Sequence, residues 1–249
     1  MSGHSKWATI KHKKGALDAK RGALFTKLIK EITVAAKNGG GDPGANPRLR
    51  TALQKGKEAN MPADNIERAI KKGTGELPGV VYEEIAYEGY GPSGVAILIE
   101  VLTDNKNRAA SEIRSILDKK GGNMSGAGSV AWQFAKKGFI VVKKSAIDED
   151  KLMGIALDAG ASDFVTTDES YEISAEPHDF EKVKKAVTDA GITPESAEVT
   201  KMAANNVKIT DLNAAKALLS LIENLEDHED VQSVYSNLDI PDSILQQLV

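Results

Sequence analysis

Lys11, His12, Lys13 and Lys14 form one run near the start of the chain, with Lys6 ahead of it and Lys20 and Arg21 behind. Ammonium and guanidinium groups at this density are suited to phosphate oxygens, which they meet through charge-assisted hydrogen bonds. The interleaved Ser2, Ser5 and Thr9 hydroxyls can add hydrogen bonds to a phosphate backbone. Trp7 either stacks on an unpaired base or docks this tail on a hydrophobic surface. Positive charge continues through Lys27, Arg48, Arg50, Lys55, Lys57, Arg68, Lys71 and Lys72. Residues 1–75 carry 16 Lys and Arg against 6 Asp and Glu, a net of +10, whereas residues 76–249 carry 16 against 30, a net of −14. The formal charge of −4 for all 249 residues therefore conceals a basic segment joined to an acidic body. Two readings follow, a partner that is a polyanion and a solvated helical surface of mixed charge, and the density of the Lys11–Lys14 run favours the first.

Other chemistries find little support. Gly126-Ala127-Gly128-Ser129-Val130-Ala131 matches the relaxed dinucleotide pattern GxGxxA. That pattern needs a strand before it and a helix after it, and here the order is reversed, so a loop is expected instead of a cofactor site. Neither a GxxxxGK[ST] phosphate loop nor a GxSxG nucleophile elbow occurs. His4, His12, His178 and His228 are isolated, without the spacing that places two ligands on one helix face. Glu83-Glu84, Asp148-Glu149-Asp150, and Glu226-Asp227 with Glu229-Asp230 stand at helix starts, strands or turns, where solvated charge is expected. With no cysteine, the chain has no thiolate nucleophile or disulfide. No cofactor, metal or small-molecule substrate is expected, and no catalytic residue. The N-terminus has no apolar signal segment and no run reaches about 18 apolar residues, which points to a cytoplasmic protein without a membrane partner.

The elements that must carry the cations are helices. Leu17, Leu24, Phe25, Leu28, Ile29, Ile32 and Ala36 share one arc of a helix over residues 16–38, leaving Lys20, Lys27, Lys30 and Lys37 on the far side for solvent or phosphate. Arg21 intrudes on the apolar arc. Asn46-Pro47 opens a second helix to about Asn60, and Pro62 a third ending in Lys71-Lys72 before Gly73. Beyond Gly79, Val80–Glu88 and Val95–Leu102 read as a hairpin, Asn107–Lys120 as a helix, Gly121–Gly128 as a loop and Val130–Ala135 as a strand. From Phe139 to Lys201 the order is strand, helix, strand, strand, helix, strand, the split βαβ arrangement. If that unit is complete, it interrupts another: Val95–Ala135 and Asn206–Ser236, with a helix at Asn213–Leu225, form a second βαββαβ beside the extra strand Val80–Glu88. The expected fold is therefore α+β and multidomain, a basic three-helix bundle over 1–75 and two α+β domains of ferredoxin-like order. One of these is discontinuous over 76–136 and 204–249, and the other is inserted at 137–203.

The stretches SGHSKWATIKHKK (2–14), NPRLR (46–50), MPADNIERAIKKG (61–73), YEGYGPSGVAILIEVLTDNKNR (87–108), GGNMSGAGSVAWQF (121–134), ALDAGASD (156–163) and PHDF (177–180) resemble the YebC/PmpR family and its mitochondrial relative, the translational activator of cytochrome c oxidase subunit I. The resemblance spans the chain nearly end to end, with Met124 where many relatives carry Leu and Ser93 where Gly is usual. It implies the same three-domain architecture and no known catalytic residues. It also implies a nucleic-acid partner: DNA for members described as cytosolic transcriptional regulators, or ribosomal RNA for members that act with the ribosome in translation.

The basic segment together with the resemblance implies a non-enzymatic nucleic-acid-binding regulator of gene expression, a DNA-binding transcriptional regulator in the first reading and a ribosome-associated RNA-binding translation factor as the alternative. The contacts fall on Lys6, Lys11, His12, Lys13, Lys14, Lys20, Arg21, Lys27, Arg48, Arg50, Lys55, Lys57, Arg68, Lys71 and Lys72. Arg48, Arg50 and Arg68 are the plausible readers of base edges among them. Polar and glycine-rich loops supply candidate secondary contacts at Asn105, Lys106, Asn107, Arg108, Gly121, Gly122 and Ser129.

Overall fold

In a computed structural model, which describes residues 17–247 with side chains from Gly22 onward except that of Asp242, helices and antiparallel sheets follow each other as two kinds of layer. Helices α1 (Leu17–Gly39), α2 (Pro47–Glu58) and α3 (Ala63–Thr74) form a bundle. Asn46 starts α2: its Oδ1 accepts the Leu49 N–H at 3.0 Å, and its amide donates to the carbonyls of Ala35 and Gly40 at 2.8 Å. Leu28, Ile32, Ala35, Ala36, Leu49, Ala52, Met61 and Ala69 build the bundle core. Helix α3 lies close on α1 because Gly73 has no side chain, and a Cβ there would stand 2.4 Å from the Thr33 carbonyl oxygen. Leu24, expected on the apolar arc, is 45% exposed.

The first sheet contains β1 (Glu83–Tyr90), β2 (Ala96–Thr103), β3 (Asn123–Ser125) and a strand near the C-terminus. Helix α4 (Lys106–Lys119) joins β2 to β3. The chain then forms the second sheet with β4 (Phe134–Lys143), α5 (Glu149–Asp158), β5 (Ala161–Thr166), β6 (Ser170–Ala175), α6 (Phe180–Asp189) and β7 (Ser196–Ala203). It returns through β8 (Val207–Lys208), α7 (Leu212–Asp227), β9 (Val231–Ser236), β10 (Leu238–Asp239) and α8 (Asp242–Leu245). The second sheet has the order β5-β6-β4-β7 with antiparallel pairs, the arrangement expected for a split βαβ unit. Its helix-facing side packs Ile140, Val142, Ile173, Leu152, Val183 and Val187 into one core.

The first sheet runs β3-β1-β2-β9. In space this repeats the order of the second sheet, with β2 and β3 flanking α4 and β9 following α7. The slot of the third strand is filled by β1, which comes before β2 instead of after β3. The short link through Gly91-Pro92-Ser93-Gly94 explains the permutation, because it lets β1 and β2 pair over eight residues without a crossover. Two expectations are corrected here. Val130–Ala135 is not a strand of this sheet: the backbone N–H groups of Val130 and Ala131 go to the Glu88 carboxylate, Ala131–Gln133 is a 3₁₀ turn, and Phe134 already belongs to β4. The missing strand lies inside the expected loop as β3, which pairs with Glu88–Tyr90. The strand expected at Asn206 is the two-residue β8, which pairs with β10 away from the main sheet.

On the face opposite α4 and α7, Ala96, Leu98, Val130 and Phe134 join the two sheets, with Tyr90, Ala203 and Tyr235 against them. Lys201 of β7 reaches Glu100 of β2 at 2.7 Å, and the Tyr235 hydroxyl meets the same carboxylate at 3.1 Å. No helix among the described residues is long and apolar enough to cross a membrane.

Candidate nucleic-acid interface

The bundle divides its cations between two sides. On α1, the Lys27 ammonium donates to the Glu226 carbonyl, and Lys30 to the Asp230 carboxylate and, at 3.1 Å, to the Glu229 carbonyl. Lys30 is 6% exposed, with its ammonium 5.8 Å from the centre of the Tyr82 ring. These two lysines hold the bundle to the last turn of α7 and the link from it to β9, so the expectation that they face solvent or phosphate is corrected. The physical reason is Asp230. Its side chain is fully buried and takes, besides Lys30, the Arg108 guanidinium at 2.8 Å and the Thr103 hydroxyl at 2.9 Å. A carboxylate enclosed in this way needs cationic partners, and α1 supplies one. Asp230 is thus not the solvated charge its sequence neighbours suggest.

Arg48 is committed as well. It forms two bonds to Glu31, at 2.7 and 3.0 Å, and a third to Glu84 of β1 at 2.8 Å. The Glu31 hydrogen bond chiefly, opposed by burial and aided by Glu84, holds the Arg48 pKa above its ordinary value. Asn38 donates to the same Glu84 carboxylate at 3.0 Å. One side of the bundle is therefore a polar seam with the body.

The other side presents the remaining cations. Arg50 and Lys57 share one face of α2, three to four residues apart through Gln54, and all three are exposed. With Pro43, Gly44 and Leu53 they line a surface depression of about 410 Å³. Arg50 is steadied by the carbonyls of Pro43 at 3.1 Å and Gly44 at 3.4 Å. Lys55 of α2 and Arg68 and Lys72 of α3 are exposed too, while Lys71 is half-buried and paired with Glu67 at 2.5 Å. Lys6, Lys11, His12, Lys13 and Lys14, and the side chains of Lys20 and Arg21, lie outside the described residues.

The expected secondary loops hold themselves together. Asn105 caps α4 by accepting the Arg108 N–H at 3.1 Å. The Arg108 guanidinium is shared among Asp104, Asp230 and Glu229, so its pKa is raised chiefly by the Asp230 hydrogen bond. Lys106 and Asn107 remain exposed at the tip. In the glycine-rich loop, Gly122 lets the chain pass the Tyr90 carbonyl, which a Cβ would approach to 2.5 Å. The loop is then closed by Glu88, 5% exposed, which accepts the N–H groups of Gly128, Val130 and Ala131 at 2.7, 2.6 and 2.8 Å. Burial pushes the Glu88 pKa up, but those donors and the Ser129 hydroxyl outweigh it and hold the carboxyl below 4.5. The N–H groups that a GxGxxA reading would offer to a pyrophosphate already hold a carboxylate. Residue patterns give no sign of this pairing, because Glu88 lies 40 to 43 positions from its donors.

The fold and the exposed face together define a class: a three-helix module with a cationic outer surface, carried by two antiparallel α+β domains of which one interrupts the other. A family model described as "TACO1/YebC protein N-terminal domain" matches residues 5–76, and one described as "TACO1/YebC second and third domain" matches residues 82–238. The chain belongs to the TACO1/YebC family. A relative from Desulfatibacillum aliphaticivorans is 59% identical over 245 residues, 98% of this chain and 99% of its own. One from Dictyoglomus turgidum is 55% identical over 249 residues, the full length of both, and each is named "Probable transcriptional regulatory protein". The crystal structure of a conserved hypothetical protein from Aquifex aeolicus is similar at a TM-score of 0.82 and 45% identity, covering 97% of this chain and 99% of that one.

Proposed function

We propose that this chain is a non-enzymatic regulator of gene expression that works by binding nucleic acid in the cytoplasm, with duplex DNA as its principal partner. The observation that carries the proposal is the exposure of Arg50, Lys57, Arg68 and Lys72, while Lys27, Lys30 and Arg48 are turned to carboxylates and carbonyls of the bundle and body. Cations without a neighbouring carboxylate partner suit a phosphate backbone. The basic run Lys6, Lys11, His12, Lys13 and Lys14, with Lys20 and Arg21, adds to the positive charge of the same segment. The relatives' printed names support the regulatory role. In this reading 1–75 is the binding domain, 76–136 with 204–249 the body on which it is docked, and 137–203 the inserted domain.

A second reading, a ribosome-associated RNA-binding translation factor, is favoured by one observation. Arg48 is consumed by Glu31 and Glu84, which leaves Arg50 and Arg68 as the guanidinium groups for base edges in a major groove among the described side chains of the bundle. Recognition led by backbone and shape suits folded RNA. Cross-linking in cells followed by sequencing of bound DNA and bound RNA separates the two. Enrichment on promoter DNA supports the first reading and enrichment on ribosomal RNA the second. Enrichment of neither refutes both.

A further inference from the structure

Trp132 is 72% exposed, more than any other large hydrophobic side chain among the described residues. An indole left in water forgoes the burial of about 150–250 Å² of surface, yet this one is fixed in place. Its Nε1 donates to the Ser129 carbonyl at 3.1 Å, and the same carbonyl accepts the Tyr90 hydroxyl at 3.2 Å. Beneath it, the Glu88 clamp holds Gly128, Val130 and Ala131, and Val130 is fully buried against Ala96, Leu98 and Phe134. A ring held out from so rigid a base can meet a partner with little ordering cost.

The surroundings define the partner. The Ala204 N–H donates to the Gln133 carbonyl at 2.8 Å, which brings the exposed Asn205 and Asn206 alongside the turn. Lys136 of β4 is exposed and stands opposite Lys201 of β7, whose ammonium is engaged by Glu100. The protein-interface alternative calls for a contiguous apolar patch. Here the neighbouring exposed large hydrophobic side chain is Val199 of β7, 37% exposed and paired with Gly138, and a single valine beside Trp132 is not such a patch. A π-face, two side-chain amides and an ammonium match the parts of a nucleotide: a base to stack, a base edge with donors and acceptors, and a phosphate. Bases inside a duplex offer their faces to a side chain only at the cost of unstacking.

We propose that Trp132, with Asn205, Asn206 and Lys136, forms a stacking site for an unpaired base of a single-stranded nucleic acid, separate from the cationic face of the bundle. The proposal rests on the nucleic-acid reading above and adds to it a second site, for an unpaired stretch of the nucleic acid. The test uses the full chain with Trp7→Phe, which leaves Trp132 as the single indole of the two in the sequence. A short oligouridylate is expected to quench its fluorescence, and a duplex of equal length is not. Trp132→Ala should weaken oligouridylate binding by on the order of 5- to 100-fold, with Trp132→Phe retaining most of the affinity. Asn205→Ala with Asn206→Ala should give a smaller loss. Undiminished oligouridylate affinity in a folded Trp132→Ala chain that still binds duplex overturns the stacking site and spares the broader reading. A chain that binds neither oligonucleotide overturns both. A protein partner lost from Trp132→Ala while oligouridylate binding is unchanged also overturns the stacking site.

Discussion

Replacing Lys30 with Met tests how the basic bundle is held to the acidic body. The substitution keeps most of the apolar stem and removes the ammonium from Asp230, whose side chain is fully buried. Breaking a buried ion pair by removing one partner costs about 3–5 kcal/mol. Asp230 here keeps Arg108 at 2.8 Å and Thr103 at 2.9 Å on its other oxygen. The expected loss therefore falls at about 2–3 kcal/mol, since one cation and one hydroxyl still serve the carboxylate. For a chain of this size that corresponds to a fall in melting temperature of about 5–10 °C. The pH dependence gives a second reading of the same contact. Burial pushes the Asp230 pKa up, but Lys30, Arg108 and Thr103 overcome it and hold the carboxyl below its ordinary 3.8. A depressed folded-state pKa contributes stability that is present above the unfolded value and is lost as pH falls through the folded one. The gap between native and Lys30→Met should be constant near neutrality and narrow below about pH 4. Thermal unfolding at a series of pH values measures both effects. A melting temperature within 1 °C of native, or a gap that widens on acidification, would refute the pinning role.

Glu88→Gln should cost about 1.5–3 kcal/mol, because three backbone donors lose a charged acceptor. Hydrogen exchange at Gly128, Val130 and Ala131 should accelerate while the amides of α2 keep native rates, and unchanged exchange at the three sites would count against the clamp. Since the Glu88 pKa is depressed, its contribution is present above 4.5 and lost as pH falls through the folded value. Gly73→Ala places a Cβ 2.4 Å from the Thr33 carbonyl oxygen and should destabilise the bundle by about 1–3 kcal/mol through forced separation of α1 and α3. Urea unfolding followed by helical circular dichroism checks it, and a neutral result would mean that the two helices are not closely apposed.

Much of the architecture is legible because it is local. The continuous apolar run Phe139–Val142, the apolar alternation through Tyr171–Ala175 and the helical arcs between them announce the second sheet before its pairing is known. Strand β3 is not legible, because Asn123-Met124-Ser125 has no pattern of its own and becomes a strand only by pairing with Glu88–Tyr90. The site divides in the same way. The exposure of Arg50 and Lys57 follows from helix periodicity against Leu49 and Ala52, whereas the fates of Lys27, Lys30 and Arg48 depend on Glu226, Asp230 and Glu84, which lie 36 to 200 residues away. Charge counts register how many cations a segment holds and are blind to which are neutralised by distant carboxylates. Trp132 is hidden for a related reason: tryptophan is on average a well-buried residue, and the turn that carries this one is held by the Glu88 carboxylate of another strand.

A phosphate backbone is proposed to meet the exposed Arg50, Lys57 and Arg68 of α2 and α3, and such a contact is salt-sensitive. Fluorescence anisotropy of labelled duplex DNA with the full chain, between 50 and 200 mM salt, tests it most directly. If about five phosphates are neutralised, native affinity should fall on the order of 10²–10³-fold across that range. Arg50→Glu, Lys57→Glu and Arg68→Glu combined should weaken binding at low salt and flatten the salt slope by about 2–3. A triple variant with native affinity and native slope would contradict the account.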